Sequence, residues 1–381
     1  MSTLKVNAIR GTGASSDAIS VNSTDGTCTA NITNNLSNRN VLINSEMLIS
    51  QRGTSFTATG EENTLDRWQH TVGSGFTFDT TTTQDSSAPD GFSKSLKITP
   101  DGTSTPTGSA NGYITYKVEA NDCNRFASGT SSAKKYVLSF YAKTASQNNG
   151  HKYTVQIKKQ NSGGTFYHQN VLFTITSSWQ RFTVAFSADT SNNIITGNGI
   201  GIMLEWHLVS GPDDFGSQVT TWTSGGGNKV VTNQSNFMDN TSNEFYLTGV
   251  QLEASDSDVA TDFEHRSYAE ELLRCQRYYF EVKNGFIGGA RGGSGGSLAL
   301  WSYPLPTPLR ASPTITALTS FNMRGFSSAG YSDSTATPSV ATNGWTKYAC
   351  HLYVSQGSHG IVDDRVASVQ QSNGIALAAE L

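Results

Sequence analysis

The chain has 381 residues, 36% of them hydrophobic and only 15% charged, and its net charge is −4. A mildly acidic chain without a basic run lacks the electrostatic footprint of a nucleic-acid binder, and no apolar stretch approaches the roughly 20 residues of a membrane span. The 18 Phe, 14 Tyr, 6 Trp and 37 Gly, set among many Ser, Thr and Asn, exclude a disordered polyelectrolyte and point to β-architecture with solvated faces and frequent turns.

Residues 1–38 open with "MSTLKVNAIRGTGASS", which has no apolar signal-peptide core, so conventional secretion is not expected. Two short pieces, "LKVNAI" and "AISVNS", alternate but cannot bury a core alone. This arm is expected to need a partner or self-association to become ordered.

Residues 39–266 form a denser region. "KYTVQIK" sets Tyr153, Val155 and Ile157 on one face and Thr154, Gln156 and Lys158 on the other. "RFTVAF" gathers Phe182, Val184 and Phe186. "GIMLEWHLV" sets Ile202, Leu204, Trp206 and Leu208 against Met203, Glu205 and His207. Such alternation marks half-buried strands. With turn clusters such as "DTSNN" and "NSGG" between them, it predicts an antiparallel β-sandwich of jelly-roll type.

The stretch "SYAEELLRCQRYYF", 267–280, differs from everything around it. Ser267 and Glu270 make a capping box, and Tyr268, Leu272, Cys275 and Tyr279 recur at helical spacing. A linking helix of about 20 Å is predicted at 1.5 Å per residue. Its apolar row is expected to pack on the neighbouring domain or on the same helix of another copy.

Residues 281–381 read as a second, smaller β-sandwich domain. The glycine run at 288–296 lacks G-K-[ST] and a following helix, so it is a hairpin tip and not a phosphate loop. "LALWSYPLPTPLRASPTITAL" carries Pro304, Pro306, Pro308 and Pro313. Proline cannot donate to a ladder, so an edge strand or extended arm is expected there. "VASVQQSNGIALAAEL" ends the chain as two short strands or one hairpin arm.

Signals for reaction chemistry are sparse. Cys28, Cys123, Cys275 and Cys350 are widely separated and form no C-x-x-C pair, so free thiols are expected. The histidines make no H-E-x-x-H, and His351 and His359 flank a strand-like piece as polar positions. The acid pairs Glu61/Glu62, Asp213/Asp214 and Asp363/Asp364 are adjacent residues that face opposite ways on a strand. They do not by themselves make the two-carboxylate arrangement of a glycosidase. "SDSD" at 255–258 lacks a full calcium loop; a structural calcium in the sandwich stays open. No G-x-S-x-G is present. The chain is therefore expected to be non-catalytic, with no cofactor and no metal site.

The better signal is aromatic. Sugars pack their C–H faces on flat rings, while polar side chains bond the hydroxyls. Trp68, Trp179 and Trp206 read as structural. Trp222, in the polar stretch "SQVTTWTSGGG", reads as an exposed loop indole. Tyr113 shares a face with Thr115 and Lys117, and Glu205 shares one with His207. Trp222, Tyr113, Glu205 and His207 are the candidate glycan contacts.

Several pieces together resemble tail-fibre proteins of marine and cyanobacterial tailed phages. "NRNVLINSEMLISQRGTSF" followed by "TLDRW" is similar to the opening N-L-L-I-N-G-x-F-x-x-x-Q-R-G…D-R-W of that family. "YVLSFYAKT" and "SSWQRFTVAFSAD" are similar to strands of carbohydrate-binding jelly rolls. The block from Asn236 to Tyr279 is the most specific match, and "PLRASPTIT" and "MSTLKVNAIR" resemble the start of the C-terminal domain and the N-terminal segment. Ser45 and Glu46 stand where Gly-Asp is commoner, which weakens transfer of a calcium site. The resemblance implies a homotrimeric virion fibre, made in the host cytoplasm and released by lysis. Its arm would attach to phage tail proteins and its distal domains would meet a host-surface glycan. Two alternatives stand beside it: a structural virion part, such as a tail adaptor or head-decoration fibre, and a polysaccharide-degrading tailspike. The usual tailspike is a repeat-built β-helix, and no repeat is found here.

Overall fold

The computed structural model describes residues 6–13, 17–26, 28–30, 38–73, 75–76, 79–225, 229–282, 286–292, 298–317, 321–327, 330–336, 339–345, 349–355, 366–370 and 375–381. At the N-terminus, Ala8–Ile9, Ile19–Val21 and Cys28–Ala30 pair in chain order into a small antiparallel sheet. Val6 and Ile9 stay exposed, which fits segments too short to bury a core.

The central region is an antiparallel β-sandwich. Its strands are β1 (Ser55–Ala58), β2 (Glu61–Asn63), β3 (Trp68–Val72), β4 (Thr80–Asp85), β5 (Ser95–Pro100), β6 (Asn111–Glu119) and β7 (Lys135–Thr144). They continue with β8 (Lys152–Gln160), β9 (Phe166–Thr174), β10 (Gln180–Phe186), β11 (Ile200–Ser210), β12 (Thr223–Ser224) and β13 (Phe245–Ser255). One sheet has six strands in the order β10-β7-β13-β5-β4-β1. The facing sheet has seven, in the order β12-β9-β8-β11-β6-β3-β2.

The alternation read in the sequence sets the packing. Tyr153, Val155 and Ile157 of β8 and Ile202, Leu204 and Trp206 of β11 are fully buried between the sheets. Trp68 stands edge-on to Tyr116 at 4.9 Å and lies 5.8 Å from Trp206, which Phe140 meets edge-on at 5.6 Å. Burial of each such ring contributes about 1.5–3 kcal/mol. Lys159 continues the inward row of β8 and is fully buried. Its charge is answered by Asp189 at 2.9 Å, whose carboxylate also caps the amides of Ser191 and Asn192.

The helix α1 runs Tyr268–Gln276, with the Ser267 hydroxyl accepting from the Glu270 amide at 3.3 Å. It is shorter than the 267–280 expected from sequence. Arg277 is its C-cap, still with helical φ and ψ, and the buried Glu119 takes Arg277 Nη2 at 2.9 Å and the Tyr278 hydroxyl at 3.0 Å just beyond the helix end. Tyr279–Val282 then joins a three-stranded sheet with chain segments 375–378 and 314–317, Ile375–Ala378 lying in the middle.

The expected apolar row is therefore divided. Cys275 is fully buried with Ile43, Ile49 and Tyr278, and Leu272 packs against that cluster. Tyr279 is buried in its strand with the Arg52 guanidinium 3.6 Å from its ring centroid. Tyr268 points away and is 59% exposed. The partner covering Leu272 and Cys275 is the sandwich's own opening loop.

In the C-terminal part, seven strands make the second sheet: 330–336, 321–327, 366–370, 286–292, 298–304, 349–355 and 339–345, in that spatial order. The glycine run enters this sheet as Phe286–Gly292 and returns as Leu298–Pro304, with Gly292 opposite Ala299. Leu298–Pro304 is an interior strand, not the edge or arm expected from its prolines. The prolines permit this because Pro304 is its last residue and the other three follow it outside the ladder. Val366–Gln370 and Ile375–Ala378 are separate short strands in different sheets. Cys123 and Cys275 are free and buried. The side chains of Cys28, Cys350 and His351, and all of His359, Asp363 and Asp364, lie outside what is described.

Arg266 closes the sandwich. Its guanidinium is 4% exposed and meets Glu271 at 2.9 Å. It also donates to the carbonyls of Leu42 and Asn40, while the other Glu271 oxygen accepts from the Asn44 amide. Removing one partner from a buried pair leaves an uncompensated charge, at a cost of about 3–5 kcal/mol. Glu271→Ala is therefore expected to lower unfolding stability by about 3 kcal/mol, and Glu271→Gln, which keeps the side chain's size and one of its two acceptor oxygens, by less. Urea unfolding of the three proteins checks this; equal stability would show that the network does not fasten the fold.

Candidate functional site

The outer face of the seven-stranded sheet carries the site. Strand pairing places Asn63, Gln69, Thr115, Glu205, Gln156 and Asn170 in register, one per strand, across β2, β3, β6, β11, β8 and β9. Because neighbours in register point the same way, this is a continuous polar row on the face turned from the core. Gln69 Oε1, Thr115 Oγ1, Gln156 Oε1, His168 Nε2 and His207 Nδ1 are buried on it with no hydrogen-bond partner among the described residues. Buried polar atoms are normally paired, so this run of five on one face makes the row a candidate site, although others such as Trp206 Nε1 and Asn243 Oδ1 lie elsewhere.

Over the β8–β9 end of that row lies a groove of about 390 Å³. Gln156 and Lys158 of β8, Phe166 and His168 of β9, and Met203 of β11 form its floor and wall. Thr165, Gly225 and Lys229 rim it. The segment after β11 is tied to the sheet around it. The Val231 amide donates to the Thr154 hydroxyl at 3.1 Å, and the Val219 amide to Asn170 Oδ1 at 2.7 Å. Phe166 and Met203 are half-buried, so a flat ring and a soft apolar side chain face the opening beside polar groups.

Electrostatics fix the floor. Glu205, 2% exposed, is held by Lys158 at 2.7 Å and by His207 Nε2 at 3.1 Å. Burial alone would push its carboxyl up; Lys158 and His207 outweigh that and bring it from the usual 4.5 down to about 2. The Tyr113 ring lies 5.1 Å from that of His207. Burial, then the Glu205 charge, pushes its hydroxyl up to about 12. Burial and the nearby Lys158 push His168 below its usual value. At neutral pH this face thus carries an ionised Glu205 and neutral His168 and Tyr113 side chains, of which His168 lines the groove itself. Lys229 reaches Asp214 at 3.4 Å on the rim.

Of the four candidate glycan contacts, the structure brings Tyr113, Glu205 and His207 together and separates Trp222 from them. Trp222 is half-buried and packs on the sandwich core. Its Nε1 donates to the Ser187 carbonyl at 2.7 Å, and its ring meets Tyr136 edge-on at 5.0 Å. The next two residues are drawn into the sheet as β12 against β9. That fixes the backbone and turns the indole inward, so the exposed loop indole expected from sequence is not found.

No protein-family model matches the chain, and no curated protein matches it. Among solved structures, the enzymatically active domain of tailspike protein 4 of bacteriophage CBA120 is similar over 56% of this chain, at 10% identity and a TM-score of 0.29. This chain spans 21% of that protein's length. A family 11 carbohydrate-binding module of a Clostridium thermocellum cellulosomal cellulase aligns over 55% of this chain and 98% of its own, at 14% identity and a TM-score of 0.27. A xylan-binding domain from Paenibacillus barcinonensis aligns over 57% and 96%, at 9% identity and a TM-score of 0.29. The reading of the site rests on its own residues.

Sequence reasoning missed Gln156, His168, Phe166 and Lys229. The alternation of "KYTVQIK" already turned Gln156 and Lys158 away from the core, but nothing in the sequence says that β8 lies between β9 and β11. Among the described residues no group of three or more His, Cys, Asp or Glu is placed to hold a metal ion.

The depressed Glu205 carboxyl has a pH consequence. A group whose folded value lies below its unfolded one stabilises fully above the unfolded value and loses that contribution as pH falls through the folded one. The wild type is therefore expected to lose stability between pH 4.5 and about 2 more steeply than Glu205→Gln. Urea midpoints across that range measure it, and parallel curves would refute it.

Proposed function

We propose that this chain is a non-catalytic carbohydrate-binding protein of a virion fibre, and that the groove beside Phe166 holds a segment of host-surface glycan. The observation that carries this reading is the polar row with its unpaired atoms, set beside the half-buried Phe166 in an open groove. A sugar supplies what both halves lack: hydroxyls for Gln156 and His168, and a C–H face for the ring.

The likeness of the 236–279 block to phage tail-fibre proteins supports the fibre assignment. In that reading the arm of residues 1–38 attaches to the tail and three copies assemble. Weak binding at each groove is then multiplied by copy number, without any new contact.

Binding is favoured over hydrolysis by the state of Glu205. A glycosidase acid must carry a proton near neutral pH, with its pKa raised. Glu205 is held at about 2 by Lys158 and His207, so it accepts hydrogen bonds and does not donate a proton.

The test is calorimetry or array binding of the purified full chain against envelope glycans of candidate hosts. Phe166→Ala is expected to weaken binding about 10-fold, the size of one ring contact, with an unchanged melting temperature. Release of reducing ends from a bound polysaccharide would overturn the non-catalytic reading, and absence of binding to any host glycan would overturn the site.

A further inference from the structure

A second pocket, of about 310 Å³, opens where the chain enters the sandwich. Its wall is made by Asn38 and Arg39, by Arg125 at the end of the short 3-10 turn Ala120–Phe126, by Lys134 before β7, and by Glu253 near the end of β13. It is separate from the glycan groove in lining, and its argument does not depend on that groove.

The charges in this wall are unevenly answered. Among the described residues neither Arg39 nor Arg125 has a carboxylate within ion-pair distance. Arg39 Nη2 donates to the Asp262 carbonyl at 3.1 Å, and Arg125 Nη1 donates to the Asn38 carbonyl. Arg39 Nε is buried with no partner among the described residues.

Of the nearby acids, Asp122 attracts Arg125 without forming an ion pair among the described residues, and Glu253 and Glu264 are engaged elsewhere. Glu253 is 4% exposed and accepts from the Thr261 amide at 2.7 Å and hydroxyl at 2.8 Å. Glu264 accepts from the amides of Asn38 and Asn40 at 2.6 and 2.8 Å. Among the described residues Lys134 is paired only with Asp256, whose side chain is 82% exposed; a pair so open to water is easily exchanged for a better anion.

We propose that this pocket binds an oxyanion: a sulfate, phosphate or carboxylate group held by Arg125 and Lys134 with Arg39 behind them. Guanidinium groups present paired N–H donors that match the oxygens of such a group. The volume is several times the roughly 30 Å³ share of a water molecule, so a polyatomic anion fits. Two sources share this chemistry, a free inorganic anion and an acidic substituent on a polymer, and the experiment separates them.

The experiment uses the full chain at constant ionic strength, since screening alone changes surface electrostatics. Sodium sulfate and sodium phosphate are titrated against sodium chloride while the melting temperature is followed. Saturating sulfate or phosphate is expected to raise it by about 2–4 °C. Arg125→Ala, at an exposed position, and Lys134→Ala should each remove most of that shift, while Phe166→Ala in the glycan groove should leave it intact. Sulfated and unsulfated forms of one oligosaccharide are then compared by calorimetry. Binding at least 10-fold tighter for the sulfated form, lost in Arg125→Ala, assigns the pocket to a polymer substituent. Equal oligosaccharide binding with a retained inorganic shift assigns it to a free anion. A shift equal in chloride, or one unchanged in both Arg125→Ala and Lys134→Ala, overturns the proposal.

Discussion

The sandwich depends on how its two ends are held together. The chain enters at Asn38–Asn44 and leaves at Glu264–Glu271, more than two hundred residues later, and Arg266 is the clasp. Its guanidinium lies between Glu271 and the carbonyls of Leu42 and Asn40, and Glu264 holds the amides on either side of Arg39. Asn40 adds a second bracket, accepting from the Leu42 and Leu252 amides and donating to the Val250 carbonyl. In a low-dielectric site such bonds reinforce one another; Arg266 Nε is left without a partner among the described residues. The ordering of so distant a pair of segments is thus concentrated in a few buried polar side chains.

The same clasp positions the C-terminal part. Trp68 donates to the Asn44 carbonyl at 3.0 Å, and Asp66 takes the Gln51 amide at 2.7 Å. Gln51 in turn reaches the Tyr279 carbonyl at 2.9 Å. Arg67 lies 3.5 Å from the centroid of the Tyr278 ring and pairs with Glu380 at 2.7 Å. Arg67 has a φ of 73°, a left-handed conformation that a bulky residue adopts only when its surroundings hold it there. Its stack and ion pair supply that hold. The helix is therefore one part of a joint whose other parts come from residues 40–68 and the last residues of the chain.

Much of this was legible in the sequence, for reasons that differ from place to place. Period-2 alternation in β8 and β11 announced which side chains enter the core, because the pleat leaves no freedom once one face is buried. The cap at Ser267 announced the helix start, because its signal is local. The helix end was not legible, since the residues after Gln276 meet partners far away in the chain, such as Glu119 and the strand Ile375–Ala378. Trp222 misled for a similar reason: a polar, glycine-flanked stretch reads as a loop, but pairing of β12 with β9 turns the ring inward. The interior position of Leu298–Pro304 depended on Pro304 falling at the last rung, a matter of register. As for the candidate contacts, the shared outer face of Tyr113, Glu205 and His207 was legible because each alternates with inward-facing residues along its strand. Gln156, His168 and Phe166 became partners only once strand order was known.

The polar row also shows where this fold accepts local cost. A buried donor or acceptor left unpaired costs about 1–3 kcal/mol, and Gln69, Thr115, Gln156, His168 and His207 each carry one on the same face. Replacing them with apolar side chains of similar size would remove that cost without disturbing the inward rows of β6, β8 and β11, which are already complete. Departures from local consistency concentrate at functional sites. The proposed binding role would account for retention of the row in a sheet whose other face is so largely apolar. The Lys158–Glu205–His207 group serves the same end. It holds the buried Glu205 carboxylate in the ionised, acceptor-only form, which fixes the charge pattern of the row at neutral pH.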